Sequence, residues 1–132
     1  MVHLPPQVTE LLRRPDSVKV LTTINCDGTP HSVVCGVLHV PDDETIGVGR
    51  VWFKTTADNL ARDPRAEFLV WQGKYAFSVQ VVLSRTSDDA AEVELINEAL
   101  DKMDMKADSV WIFTPQSVTD EGITPTTGQK IV

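Results

Sequence analysis

The chain has little of several things that would each define its class. Two cysteines in 132 residues are too few for a disulfide-stapled scaffold, and a chain of this length buries roughly two-thirds of its unfolded surface without one. No apolar run approaches the ~20 residues of a membrane-spanning helix. The starting stretch MVHLPPQVTELLRRP holds no apolar segment of the secretory type. Positive charge is scarce: 12 Lys and Arg stand against 19 Asp and Glu, a formal net charge of −7. A general nucleic-acid binder needs the opposite surface, because its affinity comes from cations that displace counterions. With 42% hydrophobic and 23% charged residues, the composition is that of a globular domain. The expectation is one cytoplasmic domain over residues 1–132, with 120–132 as its C-terminal tail, and no membrane or nucleic-acid partner.

The motifs of self-sufficient active sites are missing too. There is no Gly-x-Ser-x-Gly elbow, no Gly-x-x-x-x-Gly-Lys loop and no His-Glu-x-x-His. Gly47-Val48-Gly49 lacks the third glycine of a dinucleotide fingerprint. His31, Cys35 and His39 share a strand face by parity, but four residues of strand span roughly 13 Å, too far to share one ion. No metal and no catalytic side chain is therefore assigned. Cys26 and Cys35 flank Asp27-Gly28, a hairpin signal whose turn pairs positions summing to about 55. That register sets Cys35 near Leu21 rather than Cys26, so both thiols are expected free, as in a reducing compartment.

What is present reads as short strands and three helices. Pro5-Pro6 with Val8, Leu11 and Leu12 predicts an amphipathic helix ending before Pro15. Strands are expected over Val18–Asn25, His31–Val40 and Thr45–Gly49, then a helix over Thr55–Asp63. Thr55 is its expected N-cap, with Asp58 three residues on. Two strands, Ala66–Trp71 and Tyr75–Arg85, flank the turn Gln72-Gly73-Lys74. The clearest helix runs from Ala90 to about Met103, with Val93, Ile96, Leu100 and Met103 on its inner stripe and an i,i+4 pair from Glu98 to Lys102. Ser109–Thr119 is the last strand. Tight turns between consecutive strands imply a mainly antiparallel sheet, and six such strands suggest a barrel with peripheral helices.

Charge is unevenly placed along this plan. Residues 86–121 carry ten carboxylates against Lys102 and Lys106, whereas residues 50–65 carry Arg50, Lys54, Arg62 and Arg65 against Asp58 and Asp63. A local cationic segment in an acidic chain suits a small anion rather than a polyanion. Within it, Arg50, Lys54, Thr55 and Thr56 sit where a strand gives way to a helix. A helix N-terminus offers free N–H groups and positive potential to a phosphate. Trp52 adjoins this junction and could wall a ligand. Trp71 and Trp111 are candidates for the same role, Trp111 toward a partner's cofactor.

Leu21-Thr22-Thr23 leading to Asp27-Gly28-Thr29-Pro30-His31, together with Lys54-Thr55 and Asn59-Leu60-Ala61-Arg62-Asp63-Pro64-Arg65, resembles the FMN-binding split β-barrel, or pyridoxamine phosphate oxidase-like, superfamily. The resemblance implies a six-stranded antiparallel split β-barrel, mainly β with peripheral helices, that forms a homodimer with FMN at the interface. It implies Lys54 and Thr55 at the phosphate, and Arg50 in the Gly49-Arg50-Val51-Trp52 loop as a second cation. Val34, Cys35 and Gly36 would run along the flavin ring, reading it through backbone groups, while Asn59 and Arg62 would brace the helix. The implied role is a small flavin reductase or electron carrier served by a nicotinamide donor or another small redox partner. The resemblance does not extend to the substrate-phosphate residues of vitamin B6 oxidation. Two alternatives stand beside it, a deazaflavin-dependent reductase and a non-catalytic dimeric ligand-binding module.

Overall fold

The computed structural model describes residues 1–132. Its elements in chain order are α1 (Pro6–Arg13), β1 (Val18–Ile24), β2 (Pro30–Cys35), β3 (Leu38–His39), β4 (Ile46–Gly49), α2 (Lys54–Arg62), β5 (Arg65–Gln72), β6 (Tyr75–Ser87), α3 (Ala90–Leu100) and β7 (Val110–Asp120). All strands pair antiparallel in one curled sheet of order β2-β1-β5-β6-β7-β4-β3. The expected mainly β architecture with peripheral helices is present, with seven strands rather than six. The segment expected as one strand from His31 to Val40 breaks at Gly36-Val37 and supplies both edges, β2 pairing with β1 and β3 with β4. Three Cα steps from Cys35 to Leu38 reach no more than about 11 Å. The two unpaired edges are thereby drawn together, which makes the sheet a split barrel.

Side chains alternate across the strands, so one face of each fills the barrel. Leu21, Phe68, Val70, Val79, Phe113 and Val118 have no exposed surface, and Phe68 meets Phe113 edge-to-face at 5.3 Å. Burying each such side chain contributes about 1.5–3 kcal/mol. α1 lays Val8, Leu11 and Leu12 on this core and ends where Pro15 forces Arg14 into an extended conformation. The buried Lys19 ammonium donates to the Arg14 carbonyl and closes that helix.

The β1–β2 connection turns at Gly28, whose φ of +86° suits glycine. Asp27 Oδ1 accepts from the Thr29 amide at 3.0 Å and its hydroxyl at 2.6 Å. Asn25 and Thr29 close a three-residue turn, and the added residue shifts the register by one. Cys35 lies opposite Lys19, two residues from Leu21 and away from Cys26. Both thiols are free, as expected, Cys26 exposed and Cys35 buried.

α3 is shorter than its apolar spacing suggests. Asp89 caps it, accepting from the Ala91 and Glu92 amides. It tightens into a single 3₁₀ turn at Asp101–Met103 and stops at Asp104, whose φ is 57°. The Glu98–Lys102 pair consequently does not form. Met103 leaves the buried stripe and is half-exposed, its methyl resting where a Cβ on Gly36 would come within 3.0 Å. Ile96 and Leu100 join Val51, Ala107, Val110 and Ile112 in a second small core. No helix is long and apolar enough to cross a membrane.

Candidate functional site

The second core governs the cationic corner of the molecule. β7 pairs with β4 so that Val110 faces Gly49, and the Arg50 amide donates to the Ser109 carbonyl at 2.9 Å. The segment before β7 is tied to α3 by Asn97. Its amide donates to the Ala107 carbonyl at 3.0 Å and accepts from the Ala107 N–H at 2.8 Å. Arg50, Val51 and Trp52 are thus held against Lys106, Ala107 and Asp108. Together these six line a cleft of about 500 Å³. Gly49 is buried behind it, where a Cβ would approach Ala107 and Leu100 within 3.1–3.2 Å.

Trp52 is the one bulky residue here with left-handed backbone, at φ 65°. The Phe53 amide reaches back to the Val51 carbonyl at 2.9 Å, a γ-turn centred on Trp52. Such a conformation costs on the order of 1–3 kcal/mol in a non-glycine residue. The turn sends Phe53 inward, stacked on Trp111 at 6.1 Å, and leaves Trp52 84% exposed. Trp111 is buried in the core, so it is packing and cannot reach a partner's cofactor.

One residue further on, α2 begins at Lys54, with Phe53 as its N-cap and no side chain capping it. The expectation of Thr55 as N-cap fails because the helix starts a residue earlier, placing Thr55 inside the first turn. Lys54 and Thr55 both face solvent, and Lys54 Nζ lies 3.8 Å from Asp58 Oδ2. The Thr56 hydroxyl in the same turn is buried without a hydrogen-bond partner. The other end of α2 is fully engaged. Asn59 Nδ2 donates to Thr23 Oγ1 and Asn25 Oδ1, each at 3.0 Å. Arg62 donates to the Ile24 carbonyl and to Asn59 Oδ1. The expectation that Asn59 and Arg62 brace the helix is met.

Val34, Cys35 and Gly36 lie at the end of the edge strand β2. Val34 is exposed on the outer sheet face, whereas the Cys35 side chain is in the core. Burial pushes the Cys35 thiol up to about 12, so it is an unreactive thiol. Only the backbone of Cys35 is available to a ligand. β2 pairs on one side alone, which leaves alternate N–H and C=O groups free along its outer edge.

Lys106 belongs by sequence to the acidic segment, and only the β4–β7 pairing brings it beside Arg50. His3, Asp43 and Glu44 place ligand atoms within 4.8 Å of one another on the surface. Trp71 is half-exposed on the outer face, opposite Val18.

No family model matches the chain, and no curated protein matches it in sequence. Solved structures match it in fold. An FMN-binding protein from Syntrophomonas wolfei subsp. wolfei superposes with a TM-score of 0.76 at 18% identity, covering 88% of this chain and 84% of that one. An F420 reductase gives 0.72 at 18%, covering 88% and 98%. A putative pyridoxamine 5'-phosphate oxidase from Lactobacillus delbrueckii gives 0.70 at 16%, covering 88% and 93%. The chain has the split-barrel fold of the pyridoxamine phosphate oxidase-like proteins.

Proposed function

We propose that the chain is an FMN-binding flavoprotein acting as a small reductase or electron carrier. The observation that carries this reading is the first turn of α2. It is uncapped, and it presents Lys54, Thr55 and the buried unpartnered Thr56 hydroxyl within one turn. That donor set suits a phosphate, which accepts several N–H and O–H bonds and favours a helix N-terminus and a cation. The likeness in fold to an FMN-binding protein supports flavin as the group the phosphate belongs to. The free edge of β2 at Val34–Gly36 suits the hydrogen-bonding rim of the ring through backbone groups. Bound FMN would supply hydride and electron chemistry at its own ring, and the chain would bind, orient and shield it. A nicotinamide donor or another small molecule would deliver the electrons.

A homodimer belongs to this reading, and the outer sheet face supports it. An outward face of an antiparallel sheet ordinarily alternates to polar residues. Here Val18 faces Trp71, and Val20 lies between Val34 and Leu69. Ile123 beside them is 84% exposed. A strip of this kind suits a second copy of the chain. The free thiols suit the cytoplasm.

The likeness to an F420 reductase supports a second reading, with a deazaflavin in place of FMN. Absorbance of the purified protein separates the two, since a flavin gives two visible bands and a deazaflavin one. The expected result is the two-banded spectrum with one FMN per chain and two chains per particle. A colourless protein that refuses added FMN would leave the non-catalytic ligand-binding module.

A further inference from the structure

On the surface, away from the α2 turn in sequence, one imidazole nitrogen faces two carboxylates. His3 Nδ1 lies 3.2 Å from Asp43 Oδ1 and 3.3 Å from Glu44 Oε1. The two carboxylate oxygens lie within 4.8 Å of each other. Forty residues of chain separate His3 from Asp43, so no local spacing announces the set. Backbone bonds bring it together. On one side of His3 the Val2 amide donates to the Pro115 carbonyl at 3.1 Å. On the other the Leu4 amide donates to the Asp43 carbonyl at 2.7 Å. Leu4 is itself buried and anchors the segment in the main core. In the loop between β3 and β4 the Glu44 amide donates to Asp42 Oδ1 at 2.8 Å.

A ring nitrogen carries at most one proton, which points in one direction. It can make a good bond to Asp43 or to Glu44, but not to both. Neither carboxylate has another ion-pair partner in the chain. A cation at the point where the three atoms converge removes that conflict. The spacing suits zinc, whose bonds of about 2.0–2.2 Å at tetrahedral angles set ligand atoms about 3.3–3.6 Å apart. Both contacts of His3 Nδ1 are close to that separation. All three side chains reach solvent, so a hydrated ion can enter and water can take the fourth position. A nitrogen in the set favours zinc over magnesium or calcium, which take oxygen ligands in larger number.

We propose that His3, Asp43 and Glu44 form a zinc site that clasps the segment around His3 to the loop between β3 and β4. None of the three belongs to the α2 turn or to the β2 edge, so the site does not depend on the flavin reading.

Calorimetric titration of the metal-free chain with zinc chloride, with thermal melts in parallel, tests it. Saturable binding of one Zn²⁺ per chain is expected. The melting temperature should rise with it, because an ion held only by the folded state stabilises that state. Magnesium chloride at the same concentrations should give neither effect. His3→Gln, Asp43→Asn and Glu44→Gln should each weaken Zn²⁺ by about tenfold or more. All three residues lie on the surface, and a melting temperature unchanged without metal shows that the variants fold. Cys26→Ser and His31→Gln remove other exposed or half-buried zinc-ligating side chains and should leave the affinity within about twofold. Loss of binding in either of these two would place the ion elsewhere and overturn the proposal. Loss in His3→Gln with full retention in both carboxylate variants would place it on His3 and its own backbone, and would also overturn the clasp. So would Zn²⁺ affinity within about twofold in His3→Gln, Mg²⁺ binding as tight as Zn²⁺, or no saturable Zn²⁺ binding.

Discussion

The two ends of α2 lie about two turns apart and are built in opposite ways. At the C-terminal end Asn59 and Arg62 satisfy buried groups of β1 and the turn after it, fixing the helix to the barrel. At the N-terminal end there is no side-chain cap, Lys54 and Thr55 face solvent, and the Thr56 hydroxyl is buried without a partner. One end holds the helix in place, and the other leaves donors unspent, where we propose a phosphate binds.

That contrast can be broken most severely from the braced end. Asn59→Ala removes three side-chain bonds, to Thr23, Asn25 and Arg62, and leaves the buried Thr23 hydroxyl without its donor. A loss of about 2–3 kcal/mol is expected in chemical denaturation. A loss below about 0.5 kcal/mol would show that the brace is not holding the helix.

At the open end the expected sign is reversed. Thr56→Val keeps the shape and deletes an unpartnered hydroxyl, so stability should rise by about 1 kcal/mol. The same variant should bind FMN more weakly. A destabilised Thr56→Val would mean that the hydroxyl has a partner within the folded chain.

The smallest effect lies just past the braced end. Arg65 hydrogen-bonds Asp63 and holds its carboxyl down at about 2. The folded value lies below the unfolded one, so the pair stabilises the fold above the ordinary carboxylate range. That contribution is lost as pH falls through about 2. Carboxyl-carbon NMR should give a midpoint near that value, moving up toward the ordinary range in Arg65→Ala. An ordinary midpoint in the unaltered chain would remove the pair from the account.

How much of this could be read beforehand follows from how local each signal is. β1, β5, β6 and β7 carry long β-branched and aromatic runs and were legible within a residue or two. The Asp27-Gly28 turn was legible as well, although Asn25 and Thr29 added the residue that moved the register. The break at Gly36-Val37 was not legible, because His31–Val40 is rich in β-branched and apolar residues on both sides of it, as one strand would be. Only the requirement that the two halves pair with different neighbours divides it. The lysine and threonines of α2 were visible as a motif. The start of the helix was misplaced by one residue, since Phe53 is a poor cap whose position depends on stacking against Trp111. Lys106 joins Arg50 across more than fifty residues of chain, a contact that local charge counting cannot detect.

The central claim is that α2 offers its first turn to a phosphate. FMN titration of Lys54→Ala/Thr55→Ala, with thermal melts in parallel, tests it most directly. The account predicts an FMN affinity about tenfold or more below that of the unaltered chain, equivalent to about 1.4 kcal/mol or more, with an unchanged melting temperature. FMN affinity within about twofold of the unaltered chain would contradict it.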